Sequence, residues 1–112
     1  MDFQIKYSFE RRKSESSKIL EKYPNRVPII VSHQPKEFNL DKFKYLVPAD
    51  LTIGQFICLL RQHINLESSK SIFIFVRGNI PPSNASIRDI YYSHQNMDGF
   101  LYFQVKKENT FG

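Results

Sequence analysis

Lys44-Tyr45-Leu46-Val47-Pro48-Ala49-Asp50-Leu51-Thr52-Ile53-Gly54-Gln55-Phe56 is the stretch that decides the fold. Lys44 to Pro48 reads as a short strand. The chain then turns quickly into a helix. Thr52 and Gln55 have the spacing of a capping box, in which each side chain satisfies a backbone N–H at the helix start. Apolar residues follow at 53, 56, 57, 60 and 64, offsets of 3, 4, 7 and 11 that form one continuous face. This is the best-defined helix in the chain, and its apolar face belongs at the centre of the core.

Working outward, Arg26-Val27-Pro28-Ile29-Ile30-Val31 is a β-branched run that reads as a strand. Residues 33–41 form a polar connection, so this strand and 44–48 pair antiparallel. Pro28 has no N–H to donate, and its nitrogen is expected to face an open edge. Upstream, Ser8 caps a helix over 9–22 whose apolar members, Phe9, Ile19 and Leu20, are sparse. Tyr23-Pro24 ends it, because proline disfavours helical geometry in the residue before it. Residues 2–7 form a short helical turn or arm.

Downstream, Ile72-Phe73-Ile74-Phe75-Val76 is apolar throughout, the pattern of a central strand buried on both faces. Ser86 starts a short helix with Ile87, Ile90 and Tyr91 inward. Asp98-Gly99 turns into a last strand over 100–105. The element order predicts an α+β roll, a mixed sheet packed on one helix. The 112 residues form one domain: a helical extension over 1–24, a core over 25–105 and a polar tail over 106–112.

The composition excludes several classes. One cysteine, Cys58, permits no intrachain disulfide and points to a reducing compartment. Cys58 is expected to pack as a small hydrophobe. His33, His63 and His94 lack metal-ligand spacing, and no glycine-rich phosphate loop occurs. With no catalytic constellation and no cofactor motif, the chain is not expected to be an enzyme. No apolar run approaches the length of a membrane span. The formal net charge is +5, and residues 1–26 carry seven cations against four carboxylates. Such a surface favours acidic partners, but Phe73, Phe75 and Phe103 read as core, which speaks against a nucleic-acid-binding groove.

Several segments resemble the autophagy ubiquitin-like modifiers, the family of the GABA-receptor-associated protein. They are Ser8-Phe9-Glu10-Arg11-Arg12, Tyr23-Pro24-Asn25-Arg26-Val27-Pro28-Ile29-Ile30, the stretch from Lys44 to Phe56, Ile80-Pro81-Pro82 and the ending Glu108-Asn109-Thr110-Phe111-Gly112. The resemblance implies a ubiquitin-like β-grasp roll with a four-stranded mixed sheet and two extra N-terminal helices. It also implies a function. Activating and conjugating enzymes would join Gly112 to phosphatidylethanolamine, a deconjugating cysteine protease would reverse the bond, and the protein would pass from the cytoplasm to the autophagosomal membrane. Glycine suits this role because it leaves the terminal carbonyl unhindered. A chain ending at Gly112 would need no trimming before activation. An unconjugated peptide-binding adaptor, monomeric in solution like the modifier, is the alternative.

The family binds cargo receptors through short aromatic-x-x-aliphatic peptides that add a strand beside the second strand. By position, the aromatic pocket maps to Glu15, Ile19, Pro28, Ile30, Leu46 and Phe100. The aliphatic pocket maps to Tyr45, Val47, Pro48, Leu51, Phe56 and Leu59. Leu59 falls off the helix's apolar face and is expected to be partly exposed, whereas Phe56 lies on it. Arg26, Lys42 and Lys44 form a basic rim. Replacing Tyr45 and Leu46 by alanine is expected to abolish peptide binding and spare the fold. Two departures bear on peptide preference: His63 stands where many relatives carry a basic residue, and the loop around Glu37–Leu40 is short.

Overall fold

The computed structural model describes residues 2–33, 40–64 and 71–107. In chain order these form α1 (Asp2–Lys6), α2 (Phe9–Lys22), β1 (Arg26–His33), β2 (Lys44–Pro48), α3 (Ile53–Arg61), β3 (Ile72–Phe75), α4 (Ile87–His94) and β4 (Leu101–Lys107). Local chemistry starts three of the helices. Ser8 accepts from the Arg11 N–H at 3.2 Å, and Ser86 accepts from the Asp89 N–H at 3.1 Å. At α3 the full capping box forms: Thr52 Oγ1 accepts from the Gln55 N–H at 3.1 Å, and Gln55 Oε1 accepts from the Thr52 N–H at 2.9 Å.

The sheet has the order β2-β1-β4-β3. β1 pairs antiparallel with β2 and parallel with β4, and β4 pairs antiparallel with β3. Period-two alternation divides the side chains between two faces. Ile29, Val31, Tyr45, Val47, Ile74, Phe103 and Val105 join Ile53, Phe56 and Leu60 of α3 in the principal core. On the outer face Ile30 and Phe100 pack with Phe3 of α1 and, at the margin, Tyr7, Ile19 and Tyr102. The two N-terminal helices therefore roof a second, smaller core.

The structure departs from the sequence reading at several points. β3 is an edge strand, not a central one, and Phe73 and Phe75 are half-buried. The Lys106 ammonium over the Phe75 ring, 5.0 Å from its centroid, helps an aromatic side chain stay at the surface. β1 is an interior strand, so Pro28 does not lie at an open edge. It sits opposite Leu46 in β2, between hydrogen-bonded pairs, and the ladder with β4 begins only at Ile29. The missing N–H thus costs no ladder bond. Cys58 is exposed, because it lies on the side of α3 away from Ile53, Phe56 and Leu60. β4 continues to Lys107, past the expected end at 105.

One buried polar centre ties the outer helices to the rest. Asp98 has no solvent exposure. Its Oδ2 accepts from Arg12 of α2 and from the Tyr102 hydroxyl, and its Oδ1 accepts from the Phe100 N–H at 2.9 Å. Its own carbonyl accepts from the buried Ser16 hydroxyl. Burial raises the Tyr102 phenol above its ordinary range, and the hydrogen bond to the Asp98 carboxylate raises it further. The neighbouring Gly99 has φ of +89°, and a Cβ there would lie 2.3 Å from Ser16 Oγ. Glycine thus meets both a backbone and a packing requirement. Gly99→Ala is expected to cost ~2–4 kcal/mol from strain and overpacking together. A lowered urea midpoint of the variant against the wild-type chain measures it.

Candidate functional site

β2 is an outer strand with no strand beyond it among the described residues. The Val31 N–H donates to the Phe43 carbonyl at 2.8 Å. The antiparallel alternation then makes Ile29/Tyr45 and Val27/Val47 hydrogen-bonded pairs. Tyr45 and Val47 spend their backbone groups on β1, so Lys44 and Leu46 direct theirs outward. The Leu46 carbonyl receives only a long contact from Arg26 Nη1, at 3.5 Å. This edge can accept a further strand.

Lys44 and Leu46 also set one flank of the edge, on the face roofed by α2. Lys44 Nζ lies 2.6 Å from Glu15 Oε2 and 5.1 Å from the centre of the Phe3 ring. Both charged groups are more than a third exposed, so the pair contributes less than about 1 kcal/mol and can open at little cost. Beneath it Pro28, Ile30 and Phe100 are buried, while Ile19 and Leu46 are half-buried. The six residues assigned to the aromatic pocket therefore lie on one face, three as a sealed floor and three as an accessible surround. Lys44 is an ion-pair partner rather than an uncommitted rim charge, whereas Arg26 and Lys42 are exposed.

The other flank faces α3. Tyr45, Val47 and Phe56 are core residues there, Leu51 and Leu59 are half-buried, and Pro48 is exposed. Leu59 is partly accessible and Phe56 fully enclosed, as their positions on the helix predict. The Tyr45 and Phe56 rings meet edge to face at 5.5 Å. The Tyr45 hydroxyl donates to the Lys42 carbonyl at 2.9 Å, and Lys42 Nζ sits 5.1 Å from the ring centre. Burial pushes the Tyr45 phenol up to about 12, with the Asp41 carboxylate adding to it. His63 Nδ1 lies 2.9 Å from Asp41 Oδ1, and its ring meets Tyr45 at 5.7 Å. His63 thus holds the residues entering β2, a contact that its position in the sequence did not reveal.

The burial of Tyr45, 2% exposed, overturns one expectation. The Tyr45/Leu46 double alanine change cannot spare the fold, because it empties an enclosed ring site in the principal core. Gly112 and residues 108–111, like residues 34–39, lie outside the described residues. Among the described residues no group of three or more histidines, cysteines and carboxylates could hold a metal. No described helix is long and apolar enough to cross a membrane.

Known proteins share both this sheet and this sequence. The family described as Autophagy protein Atg8, ubiquitin like, matches residues 11–112. The chain belongs to the Atg8 family. Autophagy-related protein 8c of Arabidopsis thaliana is 48% identical over 112 residues, covering 98% of this chain and 94% of the relative. Autophagy-related protein 8 of Schizosaccharomyces pombe is 48% identical over 112 residues, covering 98% and 93%. The crystal structure of Trypanosoma brucei ATG8 superposes with a TM-score of 0.90 at 36% identity, covering 96% of this chain and 95% of that one. Plasmodium falciparum Atg8, solved with a peptide of Plasmodium falciparum Atg3, gives 0.84 at 31% identity, covering 93% and 94%. The β-grasp roll with a four-stranded mixed sheet is therefore the Atg8 fold, and this Atg8 protein is a ubiquitin-like modifier of autophagy.

Tyr45→Ala alone is expected to cost ~3–5 kcal/mol, the usual loss for emptying an enclosed aromatic site. Chemical denaturation of the wild-type and variant chains measures it directly.

Proposed function

We propose that this Atg8 protein is joined through Gly112 to phosphatidylethanolamine and recruits cargo receptors along the outer edge of β2. The observation that carries the recruitment reading is the placement of the two apolar flanks on opposite faces of the sheet. In an extended peptide, residues three apart point to opposite sides, because side chains alternate with period two. An aromatic-x-x-aliphatic peptide paired with Lys44 and Leu46 would send its aromatic residue toward Leu46 and Ile19. Its aliphatic residue would turn toward Leu51 and Leu59. Main-chain hydrogen bonds supply affinity and the two flanks supply specificity. Arg26 and Lys42 would draw acidic residues before the aromatic anchor, chiefly by speeding and orienting encounter.

Conjugation rests on family membership and on the terminal Glu108-Asn109-Thr110-Phe111-Gly112. Activating and conjugating enzymes would load the glycine, and a cysteine protease would release it. A diacyl lipid gives the two chains that stable anchoring requires. The modifier would move from cytoplasm to autophagosomal membrane without itself catalysing a reaction. The complex of the Plasmodium falciparum relative with an Atg3 peptide supports a conjugating enzyme among the partners.

The recruitment test uses residues outside the enclosed core. Leu46→Ala with Leu59→Ala truncates one half-buried residue on each flank. Calorimetry with an aromatic-x-x-aliphatic peptide should show at least about tenfold weaker binding, with the thermal unfolding still cooperative; unchanged affinity would remove the edge from the proposal. For conjugation, a chain lacking Gly112 should show no lipid-dependent mobility shift with activating enzyme, conjugating enzyme, ATP and phosphatidylethanolamine vesicles. A shift equal to that of the intact chain would contradict the assignment.

A further inference from the structure

Helices α1 and α2 cover only part of the outer face of the sheet. The row formed by Ile30 and Tyr102 lies under them, and the next row floors a cleft that α1 borders through Gln4. In that row Ser32 of β1 is paired with Gln104 of β4, which is paired with Phe75 of β3. These half-buried side chains floor a cleft of about 420 Å³, walled by Arg77 after β3 and by His94 and Asn96 at the end of α4.

The chemistry of the cleft is one-sided. No carboxylate lines it, while Arg77 and His94 do, and Lys106 stands over the Phe75 ring. The Asn96 Oδ1 accepts from the Asp98 N–H at 3.0 Å, which leaves the amide NH₂ as a donor. Arg77 adopts φ of +49°, and Gly78 follows at +83°. Both are the central residues of a tight turn closed by paired hydrogen bonds between Val76 and Asn79, the two-residue hairpin geometry that needs positive φ at each, and the turn carries the Arg77 side chain at the cleft wall. Among the described residues the Arg77 guanidinium makes one long bond, 3.4 Å from Nη2 to the Gln95 carbonyl. Most of its donors are uncommitted.

The position of the cleft indicates what fills it. β4 ends at Lys107, five residues before Gly112. Five residues span at most about 18 Å. A lipid joined to Gly112 would hold a membrane surface within that reach, and Gln104 lies about 10 Å back along the same strand. A tether this short supplies an effective concentration near millimolar, enough to fill a weak site. We propose that this cleft is an anion site that takes the phosphate of an anionic lipid headgroup. Arg77 supplies the charge, and Asn96, Ser32 and Gln104 donate hydrogen bonds. The source of the headgroup, the membrane that carries the tail, rests on the conjugation proposed above.

The test is made on the unconjugated full chain. Amide resonances are followed by NMR at constant ionic strength, with inorganic phosphate, with dihexanoyl phosphatidic acid and with chloride. Shifts that saturate and concentrate at Ser32, Arg77, Asn96 and Gln104, for the lipid more tightly than for phosphate and absent with chloride, are expected. Arg77→Asn keeps a residue that tolerates the left-handed backbone, and it should weaken lipid binding about tenfold while leaving the rest of the spectrum in place. Shifts scattered over the basic α2 helix, no shifts, or unchanged binding by Arg77→Asn would overturn the site. Equal affinity for inorganic phosphate would assign a free anion and overturn the lipid. Because the chain is unconjugated, none of these results depends on whether Gly112 accepts phosphatidylethanolamine.

Discussion

The buried carboxylate of Asp98 is the constraint on which the outer half of the molecule depends. A lone charge in that position would be costly to bury, and its partners come from three separate places in the chain. Arg12 reaches it from α2, Tyr102 from β4, and the Phe100 amide from its own turn. Satisfying the carboxylate therefore docks α2 on the sheet at a fixed height. That height brings Glu15 within reach of Lys44 and Ile19 alongside Ile30 and Phe100. The accessible flank of β2 on this face is a consequence of one hydrogen-bond centre some distance from it.

The features legible in the sequence were those whose physics is local. Ser8, Thr52, Gln55 and Ser86 announce helix starts because each bonds within its own first turn. The stripe through Ile53, Phe56 and Leu60 announces the core because one helix face carries it. Strand order was not legible in this way. Ile72 to Phe75 is apolar enough for a central strand, yet it forms an edge whose half-exposed rings include Phe75 under a lysine. Asp98 beside Gly99 reads as a turn, and nothing nearby indicates a partner 86 residues away in Arg12. Cys58 sits among apolar residues in the sequence, yet it lies two positions from both Phe56 and Leu60, about 200° of helical rotation away from the buried face.

The candidate site shows the same division. Its membership came from family resemblance, and the structure sorts those residues by what each can do. Ile30, Phe100, Tyr45, Val47 and Phe56 are the enclosed floors of the two flanks. Leu46, Ile19, Leu51 and Leu59 remain partly accessible. A substitution among the first group changes stability before it changes recognition, so the two effects separate only in the second group. His63 adds a contact that no motif indicates, since its pairing with Asp41 depends on how the loop before β2 passes the end of α3.

The parallel pairing of β1 with β4 has a consequence for biosynthesis. β4 is the last strand among the described residues but lies in the interior of the sheet, between β1 and β3. Neither neighbour can complete its ladder, and the principal core lacks Leu101, Phe103 and Val105, until that segment has been synthesised. Contacts so distant in sequence make folding wait until β4 has been synthesised. A chain interrupted before residue 101 would leave β1 and β3 unjoined and apolar surface exposed to cellular proteases. A folded molecule has therefore been translated at least through β4, the strand that leads toward residues 108–112.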